Sequence, residues 1–131
     1  MMKVHQYTMM CAPITSQIGA IEALRHCDDD ARAMVADYDR RRRLFVDGLN
    51  AIGLTCPMPG GAFYAFPSVA RTGLSSEVFA ERLLREERVL VVPGPVFGAG
   101  GAGHVRCCYA TATEKLEEAL VRMERFVRKV S

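Results

Sequence analysis

One arginine in an otherwise apolar strand has the clearest potential for chemistry in this chain. Residues 89–92 are mostly β-branched and predict a short buried strand, and residues 104–110 predict a second one. Arg106 lies in the middle of the second strand, among residues that suit a protein core. Burying a guanidinium is unfavourable unless its planar set of N–H donors meets an anion. The sequence therefore predicts an anion beside Arg106, and from spacing alone the favoured one is an Asp or Glu of the same chain.

A glycine-rich loop separates these two strands. Residues 98–103, with the sequence GAGGAG, match the pattern G-x-G-x-x-G of dinucleotide-binding proteins. That fingerprint requires a helix directly after the glycines, because the N-terminus of the helix holds the pyrophosphate. A strand is predicted here instead. The context argues against nucleotide binding and favours a flexible turn beside the site.

Composition argues against several other kinds of site. The chain has 131 residues, and its net charge of +2 gives no reason to expect a nucleic-acid or membrane partner. The five cysteines include no C-x-x-C pair, so a zinc site is not expected. Cys107 and Cys108 are neighbours in a predicted strand and point to opposite faces, which disfavours a disulfide between them. An odd number of scattered cysteines is typical of a reducing cytosol.

The helices that must position Arg106 begin with two in the first half of the chain. Residues 1–15 show little periodicity and are predicted to form a loop. Thr15 or Ser16 is expected to cap a helix over residues 17–26. Three acids at the start of the next helix suit its positive end, and the apolar spacing extends that helix over residues 29–52.

The second half of the chain predicts short strands and two more helices. Strands are expected at residues 54–56 and 62–66. Ser75 or Ser76 should cap a helix that ends near Glu87. The sequence TATE at residues 111–114 fits a capping box for the last helix. These elements predict an α+β fold, in which helices cover a small, largely antiparallel sheet and a long helix lies near the N-terminus.

Four consecutive arginines at residues 40–43 invite a nucleic-acid interpretation. On a helix, however, consecutive side chains point about 100° apart and make no single stripe. Asp37, Asp39 and Asp47 lie close by in the sequence. A solvated helix surface with local ion pairs is therefore the favoured interpretation.

Three motifs, in this order and spacing, resemble the C-terminal end of the aspartate-aminotransferase-like (fold type I, class I/II) pyridoxal-phosphate enzymes. The first is HQYT at residues 5–8, followed by Ala12-Pro13 and Ser16-Gln17. The second is GGAFYAFP at residues 60–67, and the third is PGPVFG at residues 93–98 with Arg106 in the following strand. The resemblance covers most of the chain.

The resemblance implies a domain layout and a role for two residues. It implies that residues 1–28 are a remnant of a large-domain segment and that residues 29–131 form the C-terminal small domain, with a helix that bridges the two domains. Arg106 matches the arginine that grips the α-carboxylate of the amino-acid substrate. Tyr7 matches a loop that reaches the active site of the other subunit, although a packing role is the favoured interpretation. The aromatic residues of the strand at 62–66 would border the substrate pocket, but core packing is the favoured interpretation for Phe63 and Phe66.

The resemblance also implies pyridoxal 5'-phosphate as the cofactor, which needs a lysine for its Schiff base. The chain has only Lys3, Lys115 and Lys129, none in the Ser-x-x-Lys setting of the family. In the family that lysine precedes the region where this chain begins, so the sequence reads as part of a longer protein. We expect an isolated fragment to be inactive and not to bind the cofactor. The full-length protein is expected to be a cytoplasmic homodimeric aminotransferase that acts on amino acids and 2-oxo acids.

Three alternatives remain open at the level of sequence. The same fold and arginine would serve a pyridoxal-phosphate-dependent lyase or a decarboxylase-like relative. They would also serve the effector domain of a transcription regulator, which a winged-helix segment upstream would identify. A self-contained domain that binds small molecules without catalysis is the third possibility.

Overall fold

The computed structural model describes residues 1–8 and 11–131. The chain divides into two compact units, Met1–Ala36 and Asp37–Ser131. No helix within the described residues combines the length and the apolar character needed to cross a bilayer. The predicted boundary between residues 28 and 29 would separate a large-domain remnant from the small domain, and it stays a prediction.

The first unit consists of helices. Helix α1 covers Met2–Thr8 and helix α2 covers Ile14–His26, and neither contains a buried residue. The predicted loop over residues 1–15 is therefore wrong where α1 forms. That segment is too short to show a helical period in the sequence. In its last turn, the Thr8 hydroxyl donates to the Val4 carbonyl at 2.6 Å. The rest of that predicted loop includes Met9 and Met10, which lie outside the described residues.

The predicted cap of the second helix is also wrong. Helix α2 begins at Ile14, and its N-cap is Pro13, which offers no side-chain cap. Proline restricts its own φ, here −53°, and Pro13 lies directly before the first helical residue. The helix therefore starts before Thr15 and Ser16 without using either hydroxyl.

Helix α3 is the longest element of the chain, covers Asp28–Ala51 and extends from the first unit into the second. Its first turn contains the three predicted acids. Phe45, Val46 and Leu49 are buried near its C-terminal end. Gly53 follows the helix with a φ of +88°, a conformation that glycine adopts without strain. The long helix predicted over residues 29–52 is confirmed to within one residue at each end.

The second unit contains a three-stranded antiparallel sheet in the order β1–β3–β2. Strand β1 is Tyr64–Ala65, β2 is Val92–Pro93 and β3 is Val105–Cys108. In the register, Tyr64 lies opposite Cys108, and Val92 lies opposite Arg106. The last strand in sequence is thus the central strand of the sheet, so Arg106 has a neighbouring strand on each side.

Helices α4 (Ser76–Glu87) and α5 (Thr113–Val130) pack with the sheet and with the end of α3 around one core. Phe79 of α4 meets Phe126 of α5 edge to face, with 5.3 Å between ring centroids. The predicted α+β class, a small antiparallel sheet covered by helices, is confirmed. The largest fully buried side chains include Leu49, Leu54, Val69, Phe79, Leu83, Val105, Tyr109, Leu116, Met123 and Phe126.

Three local predictions in this unit need comment. The cap of α4 is confirmed, because the Ser75 hydroxyl accepts a hydrogen bond from the Val78 N–H. The capping box of α5 is wrong, since its N-cap is Ala112 and makes no side-chain bond. No strand forms at residues 54–56, where the Asn50 amide, not a neighbouring strand, accepts from and donates to the backbone of Cys56.

The predicted strand at residues 89–92 is largely wrong as well. Ladder pairing begins only at Val92, and the Leu90 side chain is 74% exposed. Arg88 ends α4 in the left-handed conformation, with a φ of +59°. Residues 89–91 connect the end of α4 to the sheet, so they do not pair with β3.

Candidate functional site

Strand β3 places Arg106 on the face of the sheet that does not carry the core. Burial alternates along this strand, with Val105 and Cys107 buried, Arg106 half-buried and Cys108 exposed. Neighbouring strand residues point to opposite faces, so this alternation fixes the direction of the arginine. The same alternation confirms the prediction that Cys107 and Cys108 face opposite sides.

Two aromatic rings lie against the Arg106 guanidinium. Its central carbon lies 4.3 Å from the centroid of the Tyr64 ring and 4.5 Å from that of Phe97. Tyr64 comes from β1 and Phe97 from the loop after β2, so the two rings approach from the two strands that flank β3. Cation–π contacts hold a guanidinium without using its N–H donors.

Arg106 makes no ion pair with any carboxylate in residues 1–8 and 11–131. Spacing alone favoured an Asp or Glu of the same chain as the partner of Arg106, and this prediction is wrong for the described residues. The structure instead brings Arg106 together with Tyr64 and Phe97. A half-buried guanidinium held by rings keeps its N–H donors available for hydrogen bonding.

The loop that carries Phe97 is compact and held by its own backbone. Two 3-10 turns, Gly94–Phe97 and Ala99–Gly101, build it. The Gly94 N–H donates to the His104 carbonyl at 2.8 Å, and the His104 N–H donates to the Gly101 carbonyl at 3.1 Å. A Cβ on Gly94 would lie 2.0 Å from the Gly101 carbonyl oxygen, so this crossing requires glycine. The glycines close a loop before β3, and they open no helix as a dinucleotide fingerprint would.

The turn before β1 is held at both ends. At one end Arg42 of α3 donates to the Pro59 carbonyl. At the other end Tyr109 donates twice, from its hydroxyl to the Ala62 carbonyl and from its backbone N–H to the Phe63 carbonyl, each at 2.9 Å. Sequence reasoning missed the roles of Arg42 and Tyr109, since all three bonds join segments far apart in the chain.

The aromatic residues of the GGAFYAFP motif lie outside the buried core. Phe63 is 40% exposed, and its ring lies 4.7 Å from that of Tyr64. Phe66 is half-buried and stacks on the His104 ring, with centroids 5.4 Å apart. The core-packing interpretation for Phe63 and Phe66 is therefore wrong, and Tyr64 is the motif residue in contact with Arg106.

The other candidate residues have different surroundings. Tyr7 lies in α1, in the first unit, with its side chain 87% exposed. Lys3 lies in α1 as well. Lys115 pairs with Glu118 at 2.9 Å and Lys129 pairs with Glu86, both on the surface of the second unit.

The four arginines at residues 40–43 each bind an aspartate one helical turn away. Arg40 and Arg41 pair with Asp37, and Arg42 and Arg43 pair with Asp39. Hydrogen bonds from Arg43 and then Arg42 hold the pKa of Asp39 below its ordinary value. The predicted helix surface with local ion pairs is confirmed.

The buried cysteines have thiols of low reactivity. All five are free thiols, and no group of three or more potential metal ligands is present there. Burial raises the pKa of the Cys107 thiol to about 12, and it also raises the pKa of Cys56. Thiols in such apolar surroundings stay protonated and unreactive at neutral pH.

The sequence and the fold agree with one family of proteins. The sequence model described as "Aminotransferase class I and II" matches residues 2–123, so the chain belongs to that family. It has the sequence and fold of the C-terminal part of such an enzyme.

Particular relatives support the same assignment. YugH of Bacillus subtilis is 57% identical over the whole chain, and its name gives the class aminotransferase but no substrate. The aspartate aminotransferase of Pyrococcus abyssi is 46% identical over 98% of the chain. A crystal structure of a Pyrococcus protein named A1 superposes on 97% of the chain with a TM-score of 0.92 and 46% identity. The chain covers 34%, 33% and 33% of these three proteins, so it spans about a third of their length.

Proposed function

We propose that this chain is the C-terminal domain of a pyridoxal-phosphate-dependent amino-acid aminotransferase, in which Arg106 binds the α-carboxylate of the substrate. One observation carries this proposal: a half-buried guanidinium lies between two aromatic rings and has no carboxylate partner in the described residues. Family membership supplies the class of reaction, and the amino-acid substrate supplies the missing anion.

The planar guanidinium of Arg106 suits the binding of a carboxylate better than the ammonium group of a lysine would. A guanidinium can donate two parallel N–H bonds to the two oxygens of a carboxylate. Such a pair fixes the direction of the amino acid as well as its position. Tyr64 and Phe97 restrict the rotation of the guanidinium, so less of its conformational freedom is lost when the carboxylate arrives.

The lysines of this chain do not fit the covalent attachment of pyridoxal phosphate. Lys115 and Lys129 are exposed and bind glutamates on the outer surface, and Lys3 is exposed in α1. The lysine that would hold pyridoxal phosphate would lie elsewhere in the full-length protein, and the bound cofactor would supply electron-withdrawing chemistry there. We therefore expect the 131-residue chain alone to form no stable site-specific complex with pyridoxal phosphate and to catalyse no transamination.

The wider setting of the chain is part of the same proposal. Its substrates would be an amino acid and a 2-oxo acid, and its partner a large domain of the same protein, in a homodimer of the cytoplasm. Residues 1–28 would belong to a large-domain segment and residues 29–131 to the small domain. Tyr7 would then lie near a substrate site of the other subunit. Full-length relatives of three times this length support a second domain.

Arg106→Lys and Arg106→Leu in the full-length protein test the proposal. Lysine keeps the charge but loses the planar pair of donors. We expect kcat/KM for an amino acid to fall at least about tenfold for lysine and further for leucine. The matched substrate is the amine that lacks only the carboxylate, and its kcat/KM should change little. Equal losses for both substrates, or no loss for either, would contradict the proposed role.

A further inference from the structure

Tyr109 connects the central strand to the turn that carries the aromatic residues of the site. Its side chain is fully buried, yet its hydroxyl reaches the Ala62 carbonyl and its N–H reaches the Phe63 carbonyl. These two bonds join β3 to the residues directly before Tyr64. Within the described residues, Tyr109 itself makes no hydrogen bond or ring contact with Arg106.

The turn held by Tyr109 contains a strained residue. Ala62 has a φ of +59°, which places a residue with a Cβ in the left-handed region. Gly60 and Gly61 precede it, and a Cβ on either would meet nothing within 4 Å, so the packing there offers little support. Hydrogen bonds at Pro59 and Ala62 therefore have to fix the path of this turn.

That path determines where the Tyr64 ring lies. Tyr64 follows the turn by two residues, and its ring contacts both Phe63, at 4.7 Å, and the Arg106 guanidinium, at 4.3 Å. A shift of the turn at Ala62 would move the start of β1 and change this contact. Phe97 would then face Arg106 from its own loop without the opposing ring.

We propose that the Tyr109 hydroxyl is a positioning group for the substrate site: it holds the strained Ala62 turn so that the Tyr64 ring stays against Arg106. The inference rests on the proposed function, because it assumes that Arg106 binds a carboxylate. Burial raises the pKa of Tyr109, so its hydroxyl remains protonated and able to donate throughout the neutral range.

Tyr109→Phe is the decisive substitution, since it removes the hydroxyl and keeps the buried ring and the backbone bond to Phe63. In the full-length protein we expect kcat/KM for an amino acid to fall by about fivefold, the size of one lost hydrogen bond. The loss should lie mainly in KM, because a misplaced Arg106 weakens the binding of the carboxylate. The corresponding amine, without a carboxylate, should retain its kcat/KM.

Ala62→Gly supplies a rescue that a merely structural role would not give. Glycine adopts the left-handed conformation without strain, so the turn no longer depends on the hydroxyl. In the double variant Tyr109→Phe/Ala62→Gly, at least half of the lost discrimination between amino acid and amine should return. Tyr38→Phe is the matched control, because Tyr38 lies against Phe63 and its hydroxyl makes no hydrogen bond within the described residues.

Two results would overturn the inference. If Tyr109→Phe lowers kcat/KM equally for the amino acid and the amine, or lowers neither, the hydroxyl does not position Arg106. A failure of Ala62→Gly to restore discrimination would also contradict it. The Arg106 variants separate this failure from that of the proposed function. If they lose discrimination between the two substrates while Tyr109→Phe keeps it, only the role of Tyr109 is refuted.

Discussion

Two groups of arginines in this chain have opposite surroundings. The four arginines at residues 40–43 lie on a helix surface, and each binds Asp37 or Asp39 one turn away. Arg106 lies alone on the central strand of a sheet, where two aromatic rings hold it and no carboxylate of the described chain pairs with it. Each arginine of the conspicuous run is thus paired locally with an aspartate, whereas the single arginine keeps its donors. The partners of a charged side chain indicate function better than the density of charge along the sequence.

The largest expected effect comes from the loop that supports one side of Arg106. In Gly94→Ala the new Cβ would lie 2.0 Å from the Gly101 carbonyl oxygen, and backbone cannot move aside as a flexible side chain can. We expect the free energy of unfolding, measured by urea denaturation of the chain, to fall by about 3 kcal/mol. Gly100→Ala is the control, since its Cβ would meet nothing within 4 Å. A Gly94→Ala variant as stable as Gly100→Ala would show that the loop tolerates a larger separation between the backbones of Gly94 and Gly101.

Removing one ring from Arg106 should have a smaller effect. Phe97 is exposed, so its loss should cost little folding stability, but its cation–π contact restrains the guanidinium. Such contacts contribute about 0.5–2 kcal/mol, so Phe97→Leu should lower kcat/KM for an amino acid by about two- to thirtyfold. Steady-state kinetics on the full-length protein, with the decarboxylated amine alongside, would measure it. An unchanged preference for the amino acid would show that Tyr64 alone suffices.

A third prediction separates the two groups of arginines by pH. The pKa of Asp39 is lowered by its bonds to Arg43 and Arg42, so its ion pairs stabilise the fold above the unfolded pKa of about 3.9. This stabilisation is lost as pH falls through the lower pKa of the folded state. Asp39→Asn should therefore be less stable than the parent chain at pH 7, with a difference that shrinks toward pH 2.

Arg106→Leu provides the contrast to that variant. Since no carboxylate of the described chain pairs with Arg106, its effect on stability should be independent of pH between about 2 and 7. Urea denaturation of both variants across this range would measure the two profiles. An acid-dependent profile for Arg106→Leu would reveal a carboxylate partner and break the comparison.

The sequence predicted the class of the fold and the importance of Arg106, but few of the contacts around it. Arg106 was identifiable because a charged residue interrupts an apolar strand, and α3 because its apolar spacing persists over 24 residues. The contacts with Tyr64 and Phe97 depend on the order β1–β3–β2, which no local pattern encodes. The same holds for Tyr109, whose hydroxyl meets a carbonyl 47 residues away.

Local errors had local physical causes. Residues 2–8 form too short a helix to show a period, and Pro13 starts α2 without the predicted hydroxyl cap. The TATE sequence offers the residues of a capping box, but the helix begins at Thr113, one position too late for Thr111 to serve as its cap. Side-chain types thus predicted the presence of elements better than their ends.

The most direct measurement of the central claim is competitive inhibition by a simple carboxylate that has no amino group. The inhibition constant should rise at least about tenfold in Arg106→Lys in the full-length protein, because lysine keeps the charge and loses the bidentate geometry. Arg43→Lys, which changes an exposed arginine already paired with Asp39, should leave the inhibition constant unchanged. An inhibition constant that stays the same in Arg106→Lys, or that rises equally in both variants, would contradict the assignment of Arg106 as the residue that binds the substrate carboxylate.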